Sequence, residues 1–214
     1  MEKNKELTKE ENKNIENIEN VTENEECEEE YVDLKVFLKH SFLYLLKMFL
    51  CLLILALILI FAWPTIDPTE SMAPTIPAPC ICINKIVFNP KEDVKRYDVV
   101  NVKVNNSQAE ELKFKPNYLL CKRVIGLGGE TLEIKKGVVY INGEKIEEPY
   151  LENYKCKEID FGPIEIPEDS IFMMGDNRNN SYDSRRLKDP FFKYDNIFQK
   201  TWYVINKNEH KFVK

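Results

Sequence analysis

Ser71 is a candidate nucleophile in the stretch Thr69-Glu70-Ser71-Met72-Ala73-Pro74-Thr75. Pro68 and Pro74 fix the backbone φ angle on either side and remove two backbone donors, so neither a helix nor a central strand runs through this segment. A serine held in such a loop can be presented to a substrate. The same residue types also suit an ordinary turn, and taken alone they favour the turn.

Lys122 is the candidate base, because it lies inside the apolar, strand-like stretch Tyr118–Ile125. Strand alternation places Leu120, Lys122 and Val124 on one face. Such neighbours desolvate the amine and favour its neutral form, and a general base near neutrality needs a pKa of roughly 7–8 instead of ~10.4. The alternative is an edge-strand lysine whose amine reaches water, and this stretch alone favours that alternative.

Acids and arginines alternate with turn-forming residues in a third stretch, Met174–Arg185. Aspartate and arginine this close in sequence can form bidentate pairs that stiffen a loop. A free surface loop is the alternative. His40 and His210 lie beside the apolar segment and near the C-terminus, so neither is well placed as the base of a Ser-His-Asp triad.

The net charge and the cysteines exclude several other classes of site. The formal net charge of -6 and the absence of a basic stripe argue against nucleic-acid binding. The chain has six cysteines but no Cys-x-x-Cys motif, which argues against a zinc site. The sequence does not decide whether two of Cys80, Cys82, Cys121 and Cys156 form a disulfide. We predict that these residues are small buried hydrophobic side chains.

The N-terminal part of the chain predicts a tail followed by a membrane anchor. Residues 1–34 are rich in Glu, Lys and Asn and predict a disordered acidic tail. Within residues 35–64, the apolar span from Phe42 to Trp63 is long enough to cross a bilayer as a helix, which Pro64 ends. A cleaved signal peptide and a buried core helix are the alternatives. Lysines precede the span and acids follow it, which predicts a cytoplasmic N-terminus and an extracytoplasmic domain over 65–214.

Short alternating apolar segments dominate the chain after Pro79 and predict a mostly β, antiparallel domain. The predicted strands cover residues 80–88, 97–104, 118–125, 131–134, 137–141, 144–146 and 171–174. The Asn142-Gly143 pair between two of them is a strong signal for a type I′ hairpin. Phe191 and Phe192 favour core packing over contact with lipid.

The three stretches resemble the motifs of bacterial type I signal peptidases, membrane-anchored serine proteases with a Ser/Lys dyad. The likeness covers about residues 64–186, includes Lys95–Val100, and is most specific in the loop Gly175–Arg185. Three places depart from the family pattern. Cys121 stands where the family has a branched aliphatic residue beside the base. Leu127-Gly128-Gly129-Glu130 replaces Leu-Pro-Gly-Asp, and the usual Trp-Gly and Gly-Lys-Ala patterns after Arg185 are absent.

The resemblance implies a role for each matching residue. Ser71 is expected to be the nucleophile, Lys122 the base, Ser181 the residue that orients the lysine amine, and Thr69 an oxyanion donor together with the Ser71 amide. The family has a shallow pocket for small side chains, which accepts Ala-x-Ala before the scissile bond. The residues that match the lining of this pocket are Met72, Ile76, Leu120 and Cys121. Expected to be structural are Arg123, Asp176, Arg178, Asp183 and Arg185.

The resulting hypothesis is a monomeric serine endopeptidase of the cell membrane that needs no metal or cofactor. Its expected partners are secretory preproteins with signal peptides and the lipid bilayer. One alternative is a repressor protease of the SOS response, which also uses Ser/Lys but carries a DNA-binding region and no anchor. Another is a tethered β domain that binds exported peptides without cleaving them.

Overall fold

The computed structural model describes residues 33–115, 118–151 and 154–213. The predicted disordered tail lies almost wholly outside these residues. The chain separates into two compact units, Met1–Ala56 and Leu57–Lys214. The second unit contains every candidate site residue.

A single helix, α1 (Asp33–Phe61), is the only one among the described residues that is long and apolar enough to cross a membrane. None of its most apolar window is buried against protein, which argues against the alternative of a core helix. The helix ends two residues earlier than expected, because Trp63 and Pro64 already belong to a strand. Proline disfavours helical backbone at the residue before it, which explains the extended Trp63.

The second unit is built from antiparallel strands, as the sequence predicts. The strands are β1 (Trp63–Asp67), β2 (Cys80–Ile86), β3 (Val99–Lys103), β4 (Leu119–Gly126), β5 (Thr131–Lys135), β6 (Val138–Ile141), β7 (Glu144–Lys145), β8 (Phe161–Glu165), β9 (Ser170–Met174), β10 (Phe192–Lys193), β11 (Ile197–Ile205) and β12 (His210–Phe212). Two short helices, α2 (Pro90–Asp93) and α3 (Asn106–Leu112), connect strands of the larger sheet.

Two sheets arise from these strands in the described part of the chain. The larger has the order β1-β2-β11-β3-β4-β9-β10, with β12 paired to β11, and the smaller has the order β7-β6-β5-β8. Strand β4 lies between β3 and β9, where Lys122 pairs with Val100 and Arg123 with Met174. The end of β9 therefore delivers the loop after Met174 to the strand that carries Lys122.

Buried apolar side chains support both faces of β4. Leu120 and Val124 pack in one core cluster, as the alternation on β4 predicts. Phe192 is also buried in that cluster, which confirms core packing for this residue. On the other side Met72 and Ile76 pack with Cys80, Cys82, Val99 and Val204.

Candidate active site

The segment around Ser71, the candidate nucleophile, is a short turn that a buried methionine fixes to the core. Residues Glu70–Met72 form one turn of 3-10 helix, closed by the Ala73 amide, which donates to the Glu70 carbonyl over 3.1 Å. Met72 is fully buried, whereas its neighbour Ser71 remains partly exposed. The core therefore holds the turn from one side and leaves the serine hydroxyl at the surface of a cavity.

The Lys122 amine lies 2.8 Å from the Ser71 hydroxyl oxygen. It also donates to the Cys121 carbonyl over 2.8 Å. Lys122 is only 2 % exposed, and desolvation by burial lowers the pKa of its amine, although the nearby acids Asp183, Asp67 and Asp176 act in the opposite direction. An amine placed in this way can take a proton from the serine.

Asp67 is a site residue that the sequence argument missed. Its Oδ1 accepts hydrogen bonds of 2.8 Å from both the Thr69 amide and the Thr69 hydroxyl. The hydroxyl oxygen of Thr69 lies 3.2 Å from that of Ser71, so Thr69 is beside Ser71 as expected. The Thr69 hydroxyl proton therefore points to Asp67 in this structure. The Thr69 hydroxyl must rotate away from Asp67 before it can donate to an oxyanion.

Arg123 faces away from Lys122 and is completely buried in a set of matched partners. Its guanidinium makes a bidentate pair with Asp176, with distances of 2.8 and 2.7 Å. It also donates to the Tyr97 carbonyl over 2.7 Å and lies 4.0 Å from the centre of the Tyr150 ring. This pair fixes the start of the loop after β9 to β4.

A second ion pair closes the same loop on itself. Arg185 donates to both carboxylate oxygens of Asp183, at 2.8 and 2.7 Å, and to the Arg178 carbonyl at 3.0 Å. Asp183 also accepts from the Gly175 amide at 2.9 Å. Burial alone would raise the pKa of Asp183, but Arg185 and these hydrogen bonds hold it below its usual range. Arg178 pairs outside the loop, with Glu148.

The structure does not show the expected hydrogen bond from Ser181 to the Lys122 amine: the buried Ser181 Oγ has no hydrogen-bond partner among the described residues. The Ser181 hydroxyl is buried beside Gly175 and the Ser71 carbonyl: a methyl group built on Gly175 would lie 2.2 Å from Ser181 Oγ and 2.4 Å from Ser71 O. The Cys121 carbonyl orients the amine instead. No side-chain pattern could have revealed a backbone acceptor.

A cavity of about 710 Å³ opens beside the Ser71 and Lys122 side chains. Of the four residues expected to line a substrate pocket, Leu120 and Cys121 do so. Met72 and Ile76 do not, because both are fully buried in the core behind the turn. The cavity wall also includes residues that were not predicted, namely Thr65, Ile66, Asp67, Asn101, Phe114, Tyr118 and Tyr182.

The described cysteines are free thiols. Cys80 and Cys82 are buried with their sulfur atoms 3.6 Å apart, which agrees with the prediction of small core side chains. Burial raises the pKa of the Cys121 thiol to about 12, so it is protonated at neutral pH. Cys27 lies outside the described residues.

The family model of signal peptidases, peptidase S26, matches residues 41–205 of the chain. The chain belongs to this family. The match covers most of α1 and nearly all of the second unit (Leu57–Lys214), which we call the β unit. It favours the signal peptidase hypothesis over a repressor protease. It also includes the divergent stretch after Arg185.

Similar signal peptidases occur in several bacteria. Signal peptidase I P of Bacillus subtilis subsp. natto is 38% identical over 158 residues, which are 67% of this chain and 80% of that protein. A signal peptidase I of Bacillus amyloliquefaciens is 38% identical over 130 residues, 57% of this chain and 64% of its own length. The solved structure of a signal peptidase I from Enterococcus faecalis is 27% identical and covers 49% of this chain and 93% of its own, with a TM-score of 0.39.

Proposed function

We propose that the chain is a serine endopeptidase that removes signal peptides from preproteins with Ser71 as nucleophile and Lys122 as general base. The observation that carries the proposal is the 2.8 Å separation between the Ser71 hydroxyl and an amine that is only 2 % exposed. Membership of the signal peptidase family supplies the substrate class. A tethered domain that only binds peptides would not require this pairing.

The reaction follows from the positions of these groups. Neutral Lys122 takes the Ser71 proton while the hydroxyl oxygen attacks the carbonyl carbon at the signal-peptide junction. The oxyanion that forms accepts from the Ser71 amide and from the Thr69 hydroxyl after it turns away from Asp67. The resulting Lys122 ammonium then protonates the leaving amine, and the neutral amine activates the water that hydrolyses the acyl-enzyme.

Selection of small side chains before the scissile bond is a further part of the proposal. Leu120 and Cys121 support it, since both line the cavity beside Ser71. Met72 and Ile76 are buried in the core behind the cavity wall, where their side chains keep the turn that carries Ser71 from moving into the core. Replacing the alanine immediately before the junction by a bulky residue should abolish cleavage of a preprotein, and unchanged cleavage would contradict this part.

We also propose that α1 anchors the enzyme, with the N-terminus cytoplasmic and the β unit outside. Lys35, Lys39 and Lys47 precede the uncharged part of the span, and the first basic residue after it is Lys85. Protease added to intact cells should degrade the β unit and spare an N-terminal tag. The opposite pattern would reverse the orientation.

The decisive experiment uses the full chain in detergent with a purified preprotein. Wild type should yield the shortened product, and Ser71→Ala should yield none. Ser107→Ala, a matched change at an exposed serine on α3, should cleave like wild type. Product from Ser71→Ala at the wild-type rate would overturn the assignment of the nucleophile.

A further inference from the structure

Asn177 joins the nucleophile turn to the loop after β9 through its backbone and its side chain. Its backbone amide donates to the Ser71 carbonyl over 3.1 Å. Its side-chain Nδ2 donates to the Glu70 carbonyl over 3.0 Å. Two successive carbonyls of the turn are therefore held by one residue that is distant in sequence.

The Glu70 carbonyl matters because it shares a peptide plane with the Ser71 amide. A peptide unit is planar, and in the trans form its C=O and N–H point in opposite directions. A donor that fixes the Glu70 oxygen thus also fixes the direction of the Ser71 N–H. Under the proposed function that N–H is the backbone donor to the oxyanion, and such a donor acts only when it is already aimed correctly.

Tyr154 sets which end of the Asn177 side chain faces the turn. Its hydroxyl donates to Asn177 Oδ1 over 2.5 Å and accepts from the Asn179 amide at 3.4 Å. A tyrosine hydroxyl that donates to Oδ1 leaves Nδ2 as the end that points to Glu70. The phenol thereby selects the amide orientation that can donate to the carbonyl.

We infer that Asn177 is a positioning residue for the oxyanion-binding peptide, with Tyr154 as its support. This inference rests on the proposed function and adds to it a residue that touches neither substrate nor the Lys122 amine. Its effect is on the transition state. Loss of the side chain should lower kcat with little change in KM.

The test compares Asn177→Ala with Asn179→Ala in the full chain. Asn179 has the same side chain in the same loop, but among the described residues that side chain hydrogen-bonds to the Lys157 amide and the Lys155 carbonyl, not to the turn around Ser71. We expect Asn177→Ala to lower kcat about 10-fold or more, a fraction of the 10²–10³-fold effect of a whole oxyanion donor. Asn179→Ala should retain kcat within about twofold. Tyr154→Phe should lower kcat in the same sense but by less.

A peptide aldehyde that ends at the residue before the junction separates positioning from general damage. Ser71 Oγ adds to the aldehyde carbon, the serine proton passes through Lys122 to the new oxygen, and a tetrahedral hemiacetal forms. Asn177→Ala should weaken this adduct by the same factor as kcat/KM. Its affinity for the unreactive product peptide, and the acidic limb of its pH profile, should match those of wild type.

The outcomes distinguish this inference from the function beneath it. If wild type neither cleaves the preprotein nor binds the aldehyde, both the proposed function and the inference that rests on it are wrong. If wild type does both, wild-type kcat in Asn177→Ala overturns the role of Asn177 alone. Equal weakening of aldehyde and product binding, or a shifted pH profile, would likewise contradict it. If Asn177→Ala does not fold, the same measurements on Tyr154→Phe decide, and an unchanged kcat there overturns the inference.

Discussion

Lys122 and Arg123 are adjacent cations on β4 that meet opposite environments. Both side chains are buried, at 2 % and 0 % exposure. Arg123 has a bidentate carboxylate partner in Asp176 and a ring beneath it. Lys122 has, among the described residues, no ion-pair partner, and its hydrogen bonds go to an uncharged hydroxyl and a carbonyl.

The contrast shows that burial has different consequences for the two residue types. Arginine cannot be deprotonated in a protein, so a buried guanidinium requires a paired anion. A lysine can lose its proton instead, and burial without an anion in contact favours that loss. One strand therefore carries a structural cation and a candidate base at successive positions because only one of them received a carboxylate partner.

The largest expected effect comes from changing the type of cation at position 122. Lys122→Arg keeps the charge but removes the ability to act as a base, so cleavage should fall by about 10²–10⁴-fold, the usual contribution of general acid–base catalysis. Lys122→Met should fall equally. The rate of preprotein cleavage measures this, with exposed Lys103→Met on β3 as the control. Substantial activity in Lys122→Arg would show that a neutral amine is not required.

The next largest effect comes from removing the carboxylate partner of Arg123. Asp176→Ala leaves a buried, unpaired guanidinium and should destabilise the β unit by about 3–5 kcal/mol. Denaturant unfolding of the full chain in detergent measures the change. The double variant Arg123→Met/Asp176→Leu should recover part of the loss, because it buries no unpaired charge. No recovery would mean that shape, not charge, makes the pair necessary.

A smaller effect tests how closely the loop after β9 approaches the turn that carries Ser71. A methyl group at Gly175 would lie 2.4 Å from the Ser71 carbonyl oxygen, so Gly175→Ala must displace the turn or Ser181. Cleavage should fall by about 10²-fold, the scale for a misplacement near 1 Å. Gly143→Ala at the hairpin tip strains a backbone with a φ of +84° but meets no atom within 4 Å, so it controls for strain away from Ser71 and should cleave normally once folded. Equal activity in both variants would contradict the close approach.

The smallest effect concerns the charge of Asp67. Its carboxylate stabilises the Lys122 ammonium and so raises the pKa of that amine against the larger effect of burial. Asp67→Asn should therefore lower the pKa further. Activity that requires neutral Lys122 would then appear at lower pH, so the acidic limb of kcat/KM should move down. Asp93→Asn on α2 serves as the control, and a limb that moves up would contradict the sign.

Local patterns predicted β4 well, because period-two alternation is directly visible in sequence. The Ser71 and Lys122 contact itself joins segments 51 residues apart, and only the likeness to a family indicated it. The ion pair between Arg178 and Glu148 had no local sequence signal. Arg178 lies in the loop after β9 of the larger sheet, whereas Glu148 follows β7 of the smaller sheet. Such partners depend on tertiary packing.

Polar residues on an inner face concealed one central strand. Strand β11 was not predicted, because its inward positions include Gln199 and Thr201. The buried Thr201 donates to Asn84 over 2.6 Å, and Asn101 donates to the same oxygen over 3.0 Å. A hydrogen-bonded network thus replaces apolar packing here and removes the alternation of hydrophobic residues. Helix α3 was missed as well, since it spans only seven residues.

The pKa of the Lys122 amine tests the account most directly. We would label the lysine side chains with ¹⁵N and follow them by NMR across a pH titration of the full chain in detergent, which reports the pKa of each amine. The signal that disappears in Lys122→Arg belongs to Lys122. Our account predicts that this amine loses its proton well below the ordinary value of 10.5 and is substantially neutral at the pH of catalysis. An amine that stays protonated up to about 10.4, like a free lysine, would contradict the proposal that Lys122 is the base.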